Sequence, residues 1–407
     1  MPMTDERINS EVGVVPADWC VRPLLKIVNI ARGQVDPRQE PYRSMILLAP
    51  DHIESGSGRL LERRTAAEQG AISGKYLFSA GDIVYSKIRP YLRKATLVDF
   101  GGLCSADMYP LRPAASVAGR FILETLLGHR FTKYAQSVSV RSGMPKINRV
   151  ELAAFSFALP PTKAEQDAIA GALADADAWI ESLEKLIVKK RQVKHGAMQQ
   201  LLTGKRRLSG CSGEWQTARL GGLADIQRGA SPRPIDDPIW FDENSPIGWV
   251  RISDVTSSGM FLRNTTQRLS PLGVKRSRPV PSGSLIMSIC ATVGRPIITA
   301  IDSCIHDGFV VMSSLRIEKF FCYYLLARLE PMWSQHGQTG SQMNLNTDLI
   351  RRTEVVVPPT KSEQAAIAEV LREMDEELDK LAEKLEKARQ IKVGITQNLL
   401  TGKVRLR

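Results

Sequence analysis

Two stretches of the chain repeat apolar residues in steps that alternate between four and three. The first runs through Ile169, Leu173, Ala176, Ile180, Leu183 and Ile187, and the second runs through Ile367, Leu371, Met374, Leu378, Leu381 and Leu385. The positions between them are mostly charged or polar. This spacing is a heptad seam, so it predicts two long helices that each pack along one narrow stripe and are otherwise solvated.

The two predicted helices are copies of one another. Residues 159–208 align with 357–406 without a gap, and 25 of the 50 aligned pairs are identical. Each copy opens with Pro-Pro-Thr-Lys-x-Glu-Gln, in which Thr162 or Thr360 is predicted to cap the helix and Glu165 or Glu363 to complete a capping box. Each copy ends in Leu-Leu-Thr-Gly-Lys, where Gly204 and Gly402 are predicted to end the helix.

The segments before the helices resemble each other more faintly. Each contains short β-branched runs broken by Gly, Pro and Ser, which predicts mostly strands with one or two helices. The sequence therefore predicts an α+β fold with two β-rich domains, 1–158 and 209–356, separated by two long helices, 159–208 and 357–407. Helices with heptad seams in one chain can pair as an antiparallel coiled coil, which we expect here.

Composition narrows the function. A formal net charge of +12 favours a polyanionic partner such as nucleic acid. No apolar run approaches the ~18 residues that cross a bilayer, so no membrane association is expected. The first residues, MPMTDERINSEVG, lack the basic start and apolar stretch of a secretory signal, which favours a cytoplasmic protein. The six cysteines show no CxxC spacing, which argues against a structural metal site.

A search for catalytic chemistry finds no strong candidate. The chain contains no Gly-rich loop for a methyl donor, no Walker motif for ATP and no nuclease constellation. The run Cys304-Ile305-His306-Asp307 could form a nucleophile cluster, but its copy at Cys104–Asp107 lacks the histidine. A repeated turn with a buried cysteine is the favoured interpretation, so we expect no catalytic residue and no metal ligand in this chain.

The doubled helix beginning PPTKAEQ and PPTKSEQ and ending LLTGK resembles the DNA specificity (S) subunits of type I restriction-modification systems. The resemblance covers nearly the whole chain. It implies two target recognition domains that each read one half of a bipartite site in double-stranded DNA. It also implies that the helices set the spacer between the half-sites and dock two modification (methyltransferase) subunits, which restriction subunits with translocase and nuclease activity then join. S-adenosylmethionine and ATP with Mg²⁺ are expected on those partners and no cofactor on this chain.

Candidate DNA contacts are basic and amide side chains in predicted loops, because Arg pairs with guanine, Asn or Gln with adenine, and Lys with phosphate. In the first domain the candidates are Lys87, Arg89, Tyr91, Arg93, Lys94, Arg141, Lys146 and Asn148. In the second domain they are Lys275, Arg276, Arg278, Arg295, Gln338, Gln342, Asn344 and Asn346.

The helix flanks are the candidate docking site for the modification subunits. The residues chosen for this role are Glu165, Gln166, Glu363 and Gln364, which are expected to be exposed. The alternative that the sequence leaves open is a coiled-coil scaffold without sequence-specific DNA binding. That alternative would explain the helices but not the positive charge or the paired β-rich domains.

Overall fold

The computed structural model describes residues 6–139, 143–335 and 345–406. These residues form two compact units: unit 1 comprises Met1–Lys185 with Glu383–Arg407, and unit 2 comprises Leu186–Ala382. The units differ from the four consecutive segments that the sequence suggested, because each long helix contributes residues to both units.

Unit 1 contains twelve strands in its described part. They are β1 (Arg7–Ser10), β2 (Gly13–Pro16), β3 (Cys20–Pro23), β4 (Val28–Ile30), β5 (Gln34–Val35), β6 (Leu47–Leu48), β7 (Lys75–Phe78), β8 (Ile83–Ser86), β9 (Ala95–Leu97), β10 (Gly102–Cys104), β11 (Met108–Pro113) and β12 (Ser156–Leu159). Its helices are α1 (Gly119–Leu127), α2 (His129–Ser139), α3 (Arg149–Ala154) and the first part of α4 (Lys163–Leu201).

Unit 2 continues the series. Its strands are β13 (Gln216–Arg219), β14 (Asp225–Arg228), β15 (Gly248–Val250), β16 (Phe261–Leu262), β17 (Gln267–Arg268), β18 (Arg278–Val280), β19 (Leu285–Ser288), β20 (Pro296–Thr299), β21 (Ser303–Ile305), β22 (Phe309–Ser313) and β23 (Glu354–Val357). Its helices are α5 (Leu220–Leu223), α6 (Ile252–Ser257), α7 (Pro271–Lys275), α8 (Lys319–Gln335), α9 (Thr347–Arg352) and the first part of α10 (Lys361–Leu400).

The two units share a sheet arrangement. Unit 1 has the sheet orders β4-β11-β8-β9 and β5-β7-β10-β6, and unit 2 has β14-β22-β19-β20-β16 and β17-β15-β21-β18. Strand β10, which contains Cys104, pairs antiparallel with β7 and parallel with β6. Strand β21, which contains Cys304, likewise pairs antiparallel with β18 and parallel with β15. The faint sequence similarity therefore corresponds to one architecture built twice, and the predicted α+β class is confirmed.

The long helices have the predicted ends. Helix α4 has 39 residues and α10 has 40, and the hydroxyl oxygens of Thr162 and Thr360 accept from the backbone amides of Glu165 and Glu363 at 3.2 Å. Gly204 and Gly402 follow the helices with φ of 71° and 66°, a left-handed conformation that glycine adopts without a steric penalty. No helix in the described part of the chain is long and apolar enough to cross a membrane.

Each unit contains one antiparallel stretch of the helix pair. In unit 1 Asp177 forms an ion pair with Lys392, and Glu184 accepts from Arg389 at 2.7 Å. In unit 2 Lys190 lies 2.7 Å from Glu377, and Lys194 forms an ion pair with Asp375. In both units the residue numbers on the two helices run in opposite directions, as an antiparallel coiled coil requires.

The predicted seam residues are buried or half-buried in the structure. The buried seam residues are Ile169, Leu173, Leu183, Ile187, Ile367 and Leu371, and the half-buried ones are Ile180, Met374, Leu378, Leu381 and Leu385. Burial is deepest where the helices begin, because there they pack on the β-rich domains as well as on each other. Ile169 and Leu173 join the core of unit 1, which includes Phe121, and Ile367 and Leu371 join the core of unit 2.

The glutamates of the repeated motif do not complete a capping box as predicted. Glu165 is 7% exposed, and its carboxylate accepts from Arg405 at 2.8 and 2.9 Å and from the indole nitrogen of Trp19 at 3.4 Å. Arg405 also donates to Asp18 at 2.8 and 2.9 Å. The tail of the second repeat thus binds the helix start of the first repeat inside unit 1.

Unit 2 repeats this arrangement with the roles of the two repeats exchanged. Glu363 is 3% exposed and accepts from Arg207 at 2.9 and 2.6 Å and from Trp215 at 3.2 Å. Glu363 and Arg207 each lie 198 residues from their counterparts Glu165 and Arg405, which is the period of the repeat. In both units, therefore, the same interaction joins the start of one long helix to the segment that follows the other.

The glutamines of the motif connect the long helix to the preceding chain and to the β-rich domain. Gln166 accepts from the amide of Ala118 at 2.9 Å and donates to the carbonyl of Pro160 at 3.0 Å. Gln364 accepts from the amide of Glu318 at 2.7 Å and donates to the carbonyl of Pro358 at 3.1 Å.

The docking prediction assumed that the four polar residues of the motif are exposed, and that assumption was wrong. Glu165, Gln166, Glu363 and Gln364 are 7%, 2%, 3% and 4% exposed, and all four bond within their own unit. Their polar character satisfies buried donors and acceptors, since a polar group without a partner is costly to bury.

We predict that Arg405→Ala destabilises unit 1 by about 3 kcal/mol, because Glu165 and Asp18 would lose the guanidinium that neutralises them while staying largely buried. Denaturant unfolding of the full chain, followed by tryptophan fluorescence, measures this loss. The matched control is Arg389→Ala, which removes an exposed pair with Glu184 and should cost about 1 kcal/mol or less. Equal losses in the two variants would contradict a structural role for Arg405.

Candidate nucleic-acid interface

Two of the segments predicted to contact DNA meet in unit 1. Residues 86–94 and 143–148 are joined by a bridge between Ile88 and Lys146. The amide of Arg89 donates to the carbonyl of Pro145 at 2.8 Å, and the amide of Ile147 donates to the carbonyl of Lys87 at 2.9 Å. One continuous surface therefore carries side chains that lie about sixty residues apart in sequence.

This surface exposes cationic and aromatic side chains together with Met144, which is 53% exposed. Arg89 and Lys146 are exposed, and Tyr91 is 47% exposed. The ammonium of Lys87 lies 5.3 Å from the ring centre of Tyr109, and the guanidinium of Arg149 lies 5.6 Å from the same ring. We call Lys87, Arg89, Tyr91, Lys146 and Arg149 the unit 1 basic surface.

Sequence reasoning missed Tyr109 and Arg149. Tyr109 belongs to β11, where its ring supports the two cations, and partial burial raises the pKa of its hydroxyl. Arg149 also donates to the carbonyl of Ala31 at 3.4 Å, which brings it beside the exposed Arg32. The signal that could have found this region is the Arg-Gly pair at Arg32, which recurs at Arg228.

Three predicted contacts of the first domain are directed elsewhere. Arg93 is half-buried beside Gly56, and burial lowers the pKa of its guanidinium. Lys94 donates to the carbonyl of Pro50 at 2.7 Å. The side chain of Asn148 caps α3 by accepting from the amides of Val150 and Glu151 at 2.9 and 3.0 Å. Lys94 and Asn148 therefore bond within the fold, which corrects their prediction as free DNA contacts, whereas the Nε of Arg93 is buried without a hydrogen-bond partner among the described residues.

A second basic surface lies in unit 2. The predicted residues Lys275 and Arg276 are exposed at the end of α7. Arg278 donates to the carbonyl of Arg228 at 2.5 Å and to the side-chain oxygen of Gln227 at 2.8 Å. Arg228 in turn donates to the carbonyl of Asp307 at 2.6 Å.

Residues that the sequence did not indicate complete this second surface. Asp307 accepts from the hydroxyl of Ser231 at 2.7 Å and from the guanidinium of Arg233 at 3.2 Å. The hydroxyl of Ser277 donates to the carbonyl of Ala230 at 2.8 Å and joins the two loops. We call Arg228, Arg233, Lys275, Arg276 and Arg278 the unit 2 basic surface.

The remaining predicted contacts of the second domain are not part of this surface or cannot be placed on it. Arg295 is half-buried. Asn346 caps α9 by accepting from the amide of Asp348 at 2.9 Å, so its prediction as a DNA contact is corrected in the same way as that of Asn148. Arg141, Gln338, Gln342 and Asn344 lie outside the described residues.

The backbone that carries the unit 1 basic surface recurs in unit 2. The amide of Leu345 donates to the carbonyl of Ile289 at 2.7 Å, as that of Ile147 does to Lys87. Arg89 and Ala291 occupy equivalent positions with φ of 47° and 56°. The side chains on this frame differ, since Lys87 and Arg89 in unit 1 correspond to Ile289 and Ala291 in unit 2.

Comparison with known proteins finds a family model and several relatives that resemble this chain. Residues 212–390 match the family model described as type I restriction modification DNA specificity domain. The type I restriction enzyme EcoDI specificity subunit of Escherichia coli is 35% identical over 179 residues, which is 44% of this chain and 39% of that protein. The putative type I restriction enzyme MjaX specificity subunit of Methanocaldococcus jannaschii is 25% identical over 98% of this chain and 96% of that protein.

Solved structures show the same fold along nearly the whole chain. The HsdS subunit from Thermoanaerobacter tengcongensis covers 96% of this chain and 98% of its own, with 20% identity and a TM-score of 0.52. A chain from a structure of a type I R-M system in assembly and conformational transition covers 96% and 99%, with 19% identity and a TM-score of 0.66. Residues 212–390 therefore match the DNA specificity domain of type I restriction-modification systems, and the chain is similar to specificity subunits along nearly its whole length. The resemblance in the repeated helices had indicated this family correctly.

The candidate nucleophile cluster of this chain has no reactive thiol. Cys304 is buried, and burial raises the pKa of its thiol to about 11. His306 packs between Trp249 and Phe309 at ring distances of 5.7 and 4.8 Å, and burial lowers the pKa of its imidazole. The thiol and the imidazole are therefore both neutral at neutral pH, and a thiolate nucleophile is absent. The described residues also contain no group of side chains arranged to hold a metal ion.

We predict that maleimide labels Cys20 rapidly at neutral pH in the native protein and leaves Cys104, Cys304 and Cys322 unlabelled. Cys20 is exposed, whereas the other three are buried, and burial raises the pKa of their thiols to about 12, 11 and 12. Peptide mass spectrometry before and after denaturation measures the difference. Native labelling of Cys304 at the rate of Cys20 would contradict the buried, protonated thiol.

Proposed function

We propose that this chain is the DNA-reading specificity subunit of a type I restriction-modification complex and that each unit reads one half of a bipartite site. The observation that carries the proposal is one architecture built twice, with exposed cations at different positions on each copy. A common frame keeps the two reading surfaces equivalent in construction, and different side chains allow different sequences to be read.

The chemistry of both surfaces fits double-stranded DNA. Exposed Lys and Arg neutralise phosphates, and the net charge of +12 attracts the duplex at long range. Arginine also offers paired donors to the major-groove edge of guanine. Tyr91 supplies an exposed ring among the cations of unit 1, where a base or sugar can pack against it.

Catalysis is proposed to lie on partner subunits. S-adenosylmethionine would be held by two modification subunits, and ATP with Mg²⁺ by the restriction subunits. The proposed place of action is the cytoplasm, where these proteins meet DNA.

The modification subunits are proposed to dock on apolar side chains that the long helices leave exposed. In unit 1 these are Trp179 and Val393, which are 39% and 58% exposed. In unit 2 they are Val188 and Val193, which are 53% and 50% exposed. Solvated helix faces normally carry polar side chains, so these residues replace the buried Glu165, Gln166, Glu363 and Gln364 as docking candidates.

The first test is methylome sequencing of cells with and without this gene. We expect one bipartite adenine-methylation motif to disappear when the gene is deleted and to return when the gene is restored on a plasmid. Deletion of an unrelated gene serves as the control. An unchanged methylome in cells that express the modification subunits would overturn the proposal.

The second test removes two cations from the unit 1 basic surface. Arg89→Ala together with Lys146→Ala should weaken binding of the complex to its site by about 10-fold or more and lower the salt slope by about two, because two phosphate contacts are lost. Titration of a labelled duplex at several salt concentrations measures both values.

The control for this test removes the same charge from elsewhere in unit 1. Arg22→Ala together with Lys163→Ala changes two exposed cations outside the basic surface. Affinity and salt slope should then stay close to those of the unaltered chain. If both double variants weaken binding equally, the effect reflects net charge, and residues 86–94 and 143–148 are not the reading surface.

A further inference from the structure

Asp307 lies at the centre of the unit 2 basic surface and organises its arginines. One carboxylate oxygen accepts from Ser231 at 2.7 Å and the other accepts from Arg233 at 3.2 Å. Its backbone carbonyl accepts from Arg228 at 2.6 Å. The hydrogen bond from Ser231, followed by the charge of Arg233, keeps the pKa of this carboxyl below its usual range, so the group is ionised at neutral pH.

Arg233 remains accessible although it is held. Its side chain is 70% exposed, and that of Asp307 is 43% exposed. A guanidinium has five N–H donors, and the bond to Asp307 uses one of them. The rest of the planar fork is free to meet a ligand that offers two acceptors side by side.

Holding an exposed arginine in place matters more for one kind of DNA contact than for another. A phosphate accepts a cation from many directions, so a mobile Lys or Arg serves that purpose well. Guanine presents O6 and N7 in a fixed geometry, and a bidentate contact needs the fork to be aligned with the base edge. A guanidinium that is already oriented by a carboxylate loses less side-chain freedom when it makes this contact.

The described part of the first domain does not repeat this arrangement of a serine, an aspartate and an arginine. Cys104 and Asp107 correspond to Cys304 and Asp307. Among the described residues of unit 1, Asp107 forms no ion pair, and Arg38, in the segment after the Arg-Gly pair, bonds to Asp36 at 2.7 Å. Arg228, by contrast, has a counterpart in Arg32. Within the part of the chain that the structure describes, the ion pair of Arg233 with Asp307 therefore does not recur at Asp107, as expected of side chains that distinguish one half-site from the other.

We propose that Arg233, oriented by Asp307 and Ser231, determines a guanine in the half-site read by unit 2. Arg233 contacts the base, and Asp307 is a positioning residue. This inference rests on the proposed function, since it assumes that unit 2 reads DNA, and it names the residue and the base that the reading involves.

The test compares variants of the full-length chain in complex with its modification subunits. Each complex is titrated with the duplex motif found by methylome sequencing and with duplexes changed at one base pair at a time. Arg233→Ala and Arg233→Lys should both lose discrimination at one G·C pair of one half-site, on the order of 10- to 100-fold. Asp307→Asn should relax the same pair to a smaller extent, because the asparagine still accepts from Ser231 but no longer holds the guanidinium by charge.

The control is Arg276→Ala, which removes an exposed cation of the same surface. It should weaken binding to every duplex alike and leave the sequence preference unchanged. Arg233 is itself mostly exposed, so its substitution should leave the fold intact, and unchanged binding to the other half-site confirms this in the same titration.

The possible results separate this inference from the function on which it rests. If the unaltered complex recognises no bipartite motif, the proposed function itself fails. If the motif exists but Arg233→Ala leaves every position of it unchanged, the inference is wrong and the function stands. If Arg233→Ala weakens all duplexes equally and Arg233→Lys restores binding, Arg233 holds a phosphate, and guanine recognition by this residue is overturned.

Discussion

The pairing of a buried glutamate at the start of one long helix with an arginine that follows the end of the other is the constraint on which both units depend. Glu165 with Arg405 and Glu363 with Arg207 are the same interaction, built from residues one repeat apart. A buried carboxylate is costly unless a cation and further donors satisfy it, and here a tryptophan of each β-rich domain adds a donor. Neither unit can close around its glutamate without the tail that comes from the other repeat.

This pairing between residues of different repeats explains why the two long helices have kept similar sequences while the two domains have diverged. Asp177 and Asp375 each receive a lysine from the opposite helix, and each also receives a donor from the adjacent domain, Arg120 or Tyr324. A residue that must satisfy two partners on different elements is hard to change alone, because a substitution leaves the other partner unsatisfied. The loops that carry the basic surfaces have no such obligation across repeats, so their side chains can vary independently.

The sequence was sufficient for features that depend on local order. Heptad spacing and the threonine and glycine signals predicted both long helices to within a residue or two, and the β-branched runs predicted strands such as β8 and β19. Those signals act within a few residues of the element that they define. The burial of Glu165 and its bond to Arg405 could not be predicted in this way, since Arg405 lies 240 positions away in sequence. A sequence pattern shows that a helix position is polar, and only the tertiary structure shows whether a remote segment covers it.

The sequence also could not show which polar side chains near the basic surfaces have partners within the fold. Comparing the two copies of the repeat helps to separate those residues from the exposed ones. Asn148 and Asn346 match across the repeat and have amide side chains suited to adenine, yet both cap short helices because that is where the shared frame needs an acceptor. Identity between the copies therefore marks residues that build the frame. Arg233 is oriented by an ion pair with Asp307 that does not recur at Asp107 among the described residues, and it remains exposed, a combination that costs order and gives the fold little stability in return. Residues that differ between two copies of one frame, and are nevertheless held in position, are the ones for which recognition of a ligand is the better explanation.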